Sequence, residues 1–217
     1  MKQQQQAGFT LIELAIVLVI IGLLLGGVLK GQELINSAKV KNMASDFKNT
    51  QVYIYGYQDK YRALPGDDRL AMTHLTGGQN ASGGTLGNGV IEGDWDSATL
   101  TTEAALFWQH VRLAGLAAGP TSTADATYFP TNADGGRIGI QSTSGFNGPT
   151  GLTGAYVICS AGVLGKFAKQ LDTTLDDGET STGSFRAYQA GGAVWLTSNV
   201  PAPTIIDATT YNVCLSF

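Results

Sequence analysis

The residue most in need of a chemical account is Glu13. It interrupts a run from Phe9 to Leu29 that is otherwise apolar apart from Thr10. A charged side chain inside such a span costs about 2.5–3.5 kcal/mol near the centre of a bilayer and less near an end. That cost calls for a cationic partner, and the run supplies none: the next basic residue is Lys30, about 25 Å further along a helix. An α-amine would serve if the chain were cut just before Phe9. Such an amine would lie one helical turn from Glu13, or would face the Glu13 of a second copy. The second arrangement builds a polymer, because each arriving amine neutralises a carboxylate already in place.

Other residues with chemical reach are fewer than the length of 217 residues would allow. Asp67-Asp68, then Glu92, Asp94 and Asp96, then Asp176-Asp177 with Glu179 form acidic clusters. Hard oxygen ligands of this kind suit calcium, and Asp94, Asp96, Asp176 and Asp177 are the candidates. None of these segments has the EF-hand spacing, and acidic residues among glycines are ordinarily solvated turns. Spacing alone leaves open a paired-carboxylate glycosidase. His74 reads as a loop residue and His110 as part of a helix beside Trp108, in a packing or surface role. Neither belongs to a His-Glu-x-x-His pattern. The sequence has no Gly-x-Ser-x-Gly elbow, and no glycine-rich phosphate loop precedes a helix. The chain therefore reads as non-enzymatic and without a cofactor, calcium excepted. The two cysteines, Cys159 and Cys214, form a disulfide if the head lies outside the cytoplasm, and are otherwise two buried thiols. A bridge closing a loop of that length is worth roughly 4 kcal/mol on a chain-entropy estimate.

The elements that position these residues begin with the apolar run. About 20 helical residues cross a hydrocarbon core, so the run is long enough to span. Its β-branched residues are acceptable there, because only a helix satisfies its own backbone in lipid. A secretory signal peptide has a shorter apolar stretch followed by a small-residue cleavage site. Here a helical pattern continues past Lys30 instead. An ordinary signal anchor accounts for everything except Glu13.

The stretch Ala7-Gly8-Phe9-Thr10-Leu11-Ile12-Glu13-Leu14 resembles the prepilin cleavage and methylation motif of type IV pilins and type II secretion pseudopilins. The resemblance implies cleavage between Gly8 and Phe9 by a prepilin peptidase, N-methylation of Phe9 by the same enzyme, and an assembly role for Glu13. It implies a leader over residues 1–8 in the cytoplasm and a single-pass anchor in the bacterial inner membrane, with the head outside. It also implies self-association into an extracellular or periplasmic filament with the help of inner-membrane assembly machinery. Many members carry a helix-bending proline at the end of the apolar segment. This chain has Gly22, Gly26, Gly27 and Gly31 there instead, with no proline before Pro65.

Beyond the anchor at residues 9–30, an amphipathic continuation is expected over 31–62. Val40, Met43, Phe47, Ile54, Tyr57 and Tyr61 share one helical face, and Leu64-Pro65-Gly66 ends the pattern. The head, residues 63–217, should open with a long irregular loop from Pro65 to about Asp96, marked by repeated glycines. Loops of that length tend to be functional surfaces. A helix is expected from about Thr101 to Leu116, stopped by Gly119-Pro120. Strands are expected at Arg137–Gln141, Ala155–Ser160, Gly183–Tyr188, Ala193–Thr197 and Tyr211–Leu215, with Asp177-Gly178 a turn. The fold class is α+β, a long N-terminal helix packed on a C-terminal antiparallel sheet, which is also the fold that the resemblance implies.

Composition sets the outer limits. A charged fraction of 14% with 43% hydrophobic residues is not that of a disordered chain. A formal net charge of −4, without a Lys/Arg run, argues against nucleic acid as the main partner. The reading is a structural filament subunit, a major or minor pilin. The alternatives are a pseudopilin of a type II secretion system, or a membrane-tethered binding protein that does not polymerise.

Overall fold

The computed structural model describes residues 10–188 and 205–217. The leader, the Gly8–Phe9 junction and the strand expected at Ala193–Thr197 lie outside the described residues. The chain divides into two compact units, Met1–Lys39 and Val40–Phe217.

In the first unit the described structure is the opening of helix α1 (Leu11–Tyr61). Long apolar side chains without proline sustain the helix, and every large one from Leu11 to Leu29 is exposed, from 46% at Ile21 to 87% at Leu11. The helix is long and apolar enough to cross a membrane.

In the second unit α1 buries one face: Val40, Met43, Ala44, Phe47, Thr50, Ile54 and Tyr57. Of the stripe expected from the sequence, only Tyr61 remains partly exposed. Phe47 meets Phe185 edge-on, with ring centroids 5.9 Å apart. Each fully buried side chain of this size contributes about 1.5–3 kcal/mol.

Four strands, β1 (Ile138–Ser142), β2 (Tyr156–Leu164), β3 (Phe185–Tyr188) and β4 (Thr210–Ser216), form an antiparallel sheet in the order β1-β2-β4-β3. Period-two alternation sorts their side chains. Ile138, Ile140, Ile158, Val163, Phe185, Val213 and Leu215 join the core that α1 enters. Val157, Cys159 and Cys214 join Trp95, Leu152 and Tyr188 in a smaller cluster. The α+β arrangement expected from the sequence is the one observed.

Helix α3 (Glu103–Leu113) carries Phe107, Trp108 and Val111 into the main core. Thr102 caps its start by accepting from the Ala105 amide at 3.3 Å. It stops at Leu113, short of the expected Leu116, because Gly115 adopts φ +77°. The Leu116 amide then donates to Val111 and the Gly115 amide to Arg112, a Schellman closure that precedes Gly119-Pro120.

Two sequence expectations need correction. No helix is expected between the strands at Ala155–Ser160 and Gly183–Tyr188, yet α4 (Gly165–Leu175) follows β2 directly. Its Phe167, Ala168 and Leu171 are buried at helical spacing, a short pattern obscured by Thr173 and Thr174. His74 is not a loop residue, since it ends a one-turn helix, α2 (Ala71–His74). The segment from Pro65 to Asp96 is irregular apart from α2, but it is packed against the rest of the head. Asp67, Asp68, Ala71, Leu75, Ile91 and Trp95 are all buried. Ile91 and Trp95 are held at β1 through bonds from their amides to Ser142 Oγ and Gln141 Oε1, each 2.8 Å.

Candidate functional site

Glu13 stands in the first turn of α1, where Thr10 is the residue before the helix. Its Oε2 accepts from the Thr10 amide and the Thr10 hydroxyl, both at 2.8 Å, and its own amide donates to Thr10 Oγ1 at 3.3 Å. This is a capping box, which satisfies amides that the helix leaves unpaired. Both donors to the carboxylate are neutral. The caps therefore orient the charge without cancelling it, on a helix whose neighbouring side chains are apolar and exposed. Gly8 and Phe9, assigned to cleavage and methylation, lie outside the described residues.

The acidic residues of the head behave differently, and most are already committed. Asp67 accepts from the amides of Gly87, Asn88 and Gly89, so the Gly-Asn-Gly turn wraps its carboxylate. Asp68 accepts from Tyr57 Oη at 2.8 Å and the Leu70 amide at 2.8 Å, and faces His74 Nδ1 at 2.7 Å. Glu92 Oε2 accepts from the Thr85 amide, and Glu103 Oε2 accepts from the Glu92 amide at 2.7 Å. Glu103 is fully buried and its Oε1 has no hydrogen-bond partner among the described residues. Burial, with Asp67 and Glu92 nearby, pushes its carboxyl up to about 7. These acids are thus not the solvated turns that glycine-rich surroundings suggested. They fasten the 65–96 segment to α1 and α3.

His110 is buried and accepts from the Gly66 amide at Nδ1, 2.9 Å, while Nε2 faces the Gln79 carbonyl at 2.7 Å. An accepting Nδ1 leaves the proton on Nε2, so the ring is neutral, and burial lowers its affinity for a second proton. Of the packing and surface roles expected for it, its burial leaves packing.

An open cleft of about 500 Å³ is lined by Tyr61, Arg62, Asp67, Asp68, Arg69, His74 and Tyr156, among others. The His74–Asp68 pair in it has the form of a base and its orienting carboxylate. No serine, threonine or cysteine lines that cleft among the described residues. Asp68 instead holds Tyr57, and His74 stacks on Tyr61 with centroids 5.2 Å apart.

Of the four acidic residues considered for calcium, Asp94 and Asp96 are exposed, and neither joins a group of three acidic or histidine ligands among the described residues. Asp176 and Asp177 do join one, with Asp172. The sequence reading passed over Asp172, although it precedes Asp176 by four residues, one turn of a helix. Asp172 is fully buried and, among the described residues, neither oxygen has a hydrogen-bond partner. Burial first, then the charges of Asp177, Asp176 and Glu179, push its carboxyl up to about 7, against a lowering influence from the nearby Gly178 amide. Asp176 accepts from the Phe185 amide at 2.9 Å, and Asp177 from the Glu179 amide at 2.9 Å.

Cys159 and Cys214 are directly opposed in the register of β2 and β4 and form a disulfide. The bond joins two neighbouring strands of the sheet, with β4 ending next to the C-terminus.

Residues 3–29 match the family of the prokaryotic N-terminal methylation motif. That motif is the prepilin cleavage signature of type IV pilins and pseudopilins. The match covers the apolar run and none of the head. No curated protein and no solved structure matches the chain. The motif supports a type IV pilin-like or pseudopilin substrate of a prepilin peptidase. Together with the apolar helix, it fits membrane anchoring before assembly into a filament.

Proposed function

We propose that the chain is a structural, non-enzymatic subunit of a type IV pilus-like filament, a pilin or a pseudopilin, assembled through its N-terminal helix. A prepilin peptidase removes residues 1–8 and methylates Phe9, leaving an amine at the start of the helix. The head stays outside the cytoplasm while the helix waits in the inner membrane. In the filament core, Glu13 pairs with the amine of a neighbouring copy.

The observation that supports this reading best is the state of Glu13. Its partners among the described residues are neutral donors on its own first turn, and the side chains around it are apolar and bare. Water accommodates neither the apolar face nor its exposure along some twenty residues. Lipid accommodates the face but not the charge. A bundle of identical helices that brings an amine to each carboxylate accommodates both.

The test is a pair of variants expressed with the native peptidase and assembly machinery. Gly8→Ala should accumulate as uncut precursor. Glu13→Ala should be cut and retained in the membrane, with its yield in sheared filaments reduced more than tenfold. Wild-type filament yield from Glu13→Ala would remove the pairing mechanism. Normal maturation of Gly8→Ala would remove the cleavage assignment.

A further inference from the structure

The last turn of α4 gathers negative charge in an unusual way for a helix end. The C-terminal end of a helix carries a partial negative charge that basic side chains ordinarily offset. Here the last turn has no basic residue. Instead Asp172 lies within it, Asp176 is the residue that closes it, and Asp177 follows. One oxygen from each of the three carboxylates lies within 4.8 Å of the others. Asp172 is the informative member, being fully buried with both oxygens unpartnered among the described residues. An isolated buried carboxylate is among the costliest groups a fold can carry.

The described cations near this end are engaged elsewhere. Lys169 pairs with Asp207 at 2.9 Å. Arg186 acts on Asp177 at a distance, but gives its guanidinium to the carbonyls of Thr150, Gly151 and Gly183. Residues 189–204 contain no charged side chain in their sequence. The loop after α4 nevertheless holds the acids in place. Asp176 receives the Phe185 amide and the Ser184 hydroxyl, and Asp177 receives the Glu179 amide and the Thr182 hydroxyl. Gly183 sits so close to Asp176 that a Cβ there would collide with the carboxylate.

We propose that Asp172, Asp176 and Asp177 bind one divalent cation of calcium size. Oxygens no more than 4.8 Å apart fit around one ion at the 2.3–2.6 Å bond lengths of calcium. An all-carboxylate donor set selects a hard cation, and a loop-borne site of uneven geometry favours calcium over the strict octahedron of magnesium. The ion would neutralise Asp172, offset the helix end and tie α4 to the loop that leads into β3. The proposal is independent of the filament reading.

The test uses the full chain in detergent micelles, stripped with EDTA and titrated with calcium chloride by calorimetry, with thermal unfolding followed in parallel. Saturable binding of one calcium per chain and a raised Tm are expected. Asp177→Asn, at an exposed position, should fold normally and weaken binding at least tenfold. Asp172→Asn should abolish binding, and in EDTA its Tm should match or exceed that of the unaltered chain, because a buried like charge has gone. Absence of binding heat together with equal Tm in EDTA and calcium would overturn the proposal. So would full calcium affinity in Asp172→Asn, which would place the ion elsewhere. Saturable binding of magnesium but not calcium would overturn the assignment of ion size.

Discussion

Helix α1 is one element with two surfaces, and the contrast between them organises the molecule. From Leu11 to Leu29 its large apolar side chains are all exposed. From Val40 to Tyr57 the same kinds of side chain are buried along one face against the sheet and α3. Acidic residues divide in the same way. Glu13, in the bare half, has neutral partners on its own turn. Asp67, Asp68, Glu92 and Glu103 receive amides, hydroxyls or a histidine from distant segments. Among the described residues, the head settles most of its polar groups internally, whereas the N-terminal half leaves its apolar surface exposed and gives Glu13 neutral partners.

That contrast can be broken from either side. The largest effect should come from a second charge in the bare half. Leu18→Asp places a carboxylate further into the span, at about 2.5–3.5 kcal/mol on insertion scales. It should abolish recovery of the chain in sheared filaments, measured by immunoblot. In the buried half, Phe47→Ala should cost the head about 3–5 kcal/mol, by analogy with other buried aromatic truncations. Thermal unfolding in detergent would measure it, and motif processing should be untouched. Reducing the Cys159–Cys214 disulfide should lower stability by about 2–5 kcal/mol in the same assay.

A smaller effect is expected from pH. Glu103 is raised from 4.5 to about 7, so the unfolded chain gives up its proton first. Stability attached to this group is fully present below about 4.5 and falls as pH rises towards about 7. Asp172, also raised to about 7, and Asp46, raised to about 6 by burial, add slopes of the same sign. Glu103→Gln should therefore flatten, without abolishing, the fall in Tm between pH 4.5 and 7, measured in EDTA. The smallest effect is reserved for Asp94→Asn and Asp96→Asn. Both sites are exposed, and each change should shift stability by no more than about 0.5 kcal/mol.

Much of this architecture was legible in the sequence because it rests on local periodicity. The three-, four- and seven-residue steps from Val40 to Tyr57 placed the buried face of α1, and alternation placed four strands, with β2 running four residues further than expected. Helix α4 was missed because its apolar pattern is brief and follows β2 without an intervening turn. What local pattern does not carry is the identity of distant hydrogen-bond partners. Asp67 looked like a solvated turn until the Gly87–Gly89 amides came to it from twenty residues away. Asp172 stands outside the acidic clusters of the sequence, and only its burial in α4 brings it to Asp176 and Asp177. Glu13 was conspicuous for the opposite reason: a charge in an apolar run is anomalous whatever the fold.

The measurement that bears most directly on the account is the N-terminus and intact mass of the chain purified from its native membranes. A chain that begins at methylated Phe9 is the predicted result. An intact Met1 in cells that contain a prepilin peptidase would contradict it, as would cleavage after Leu29.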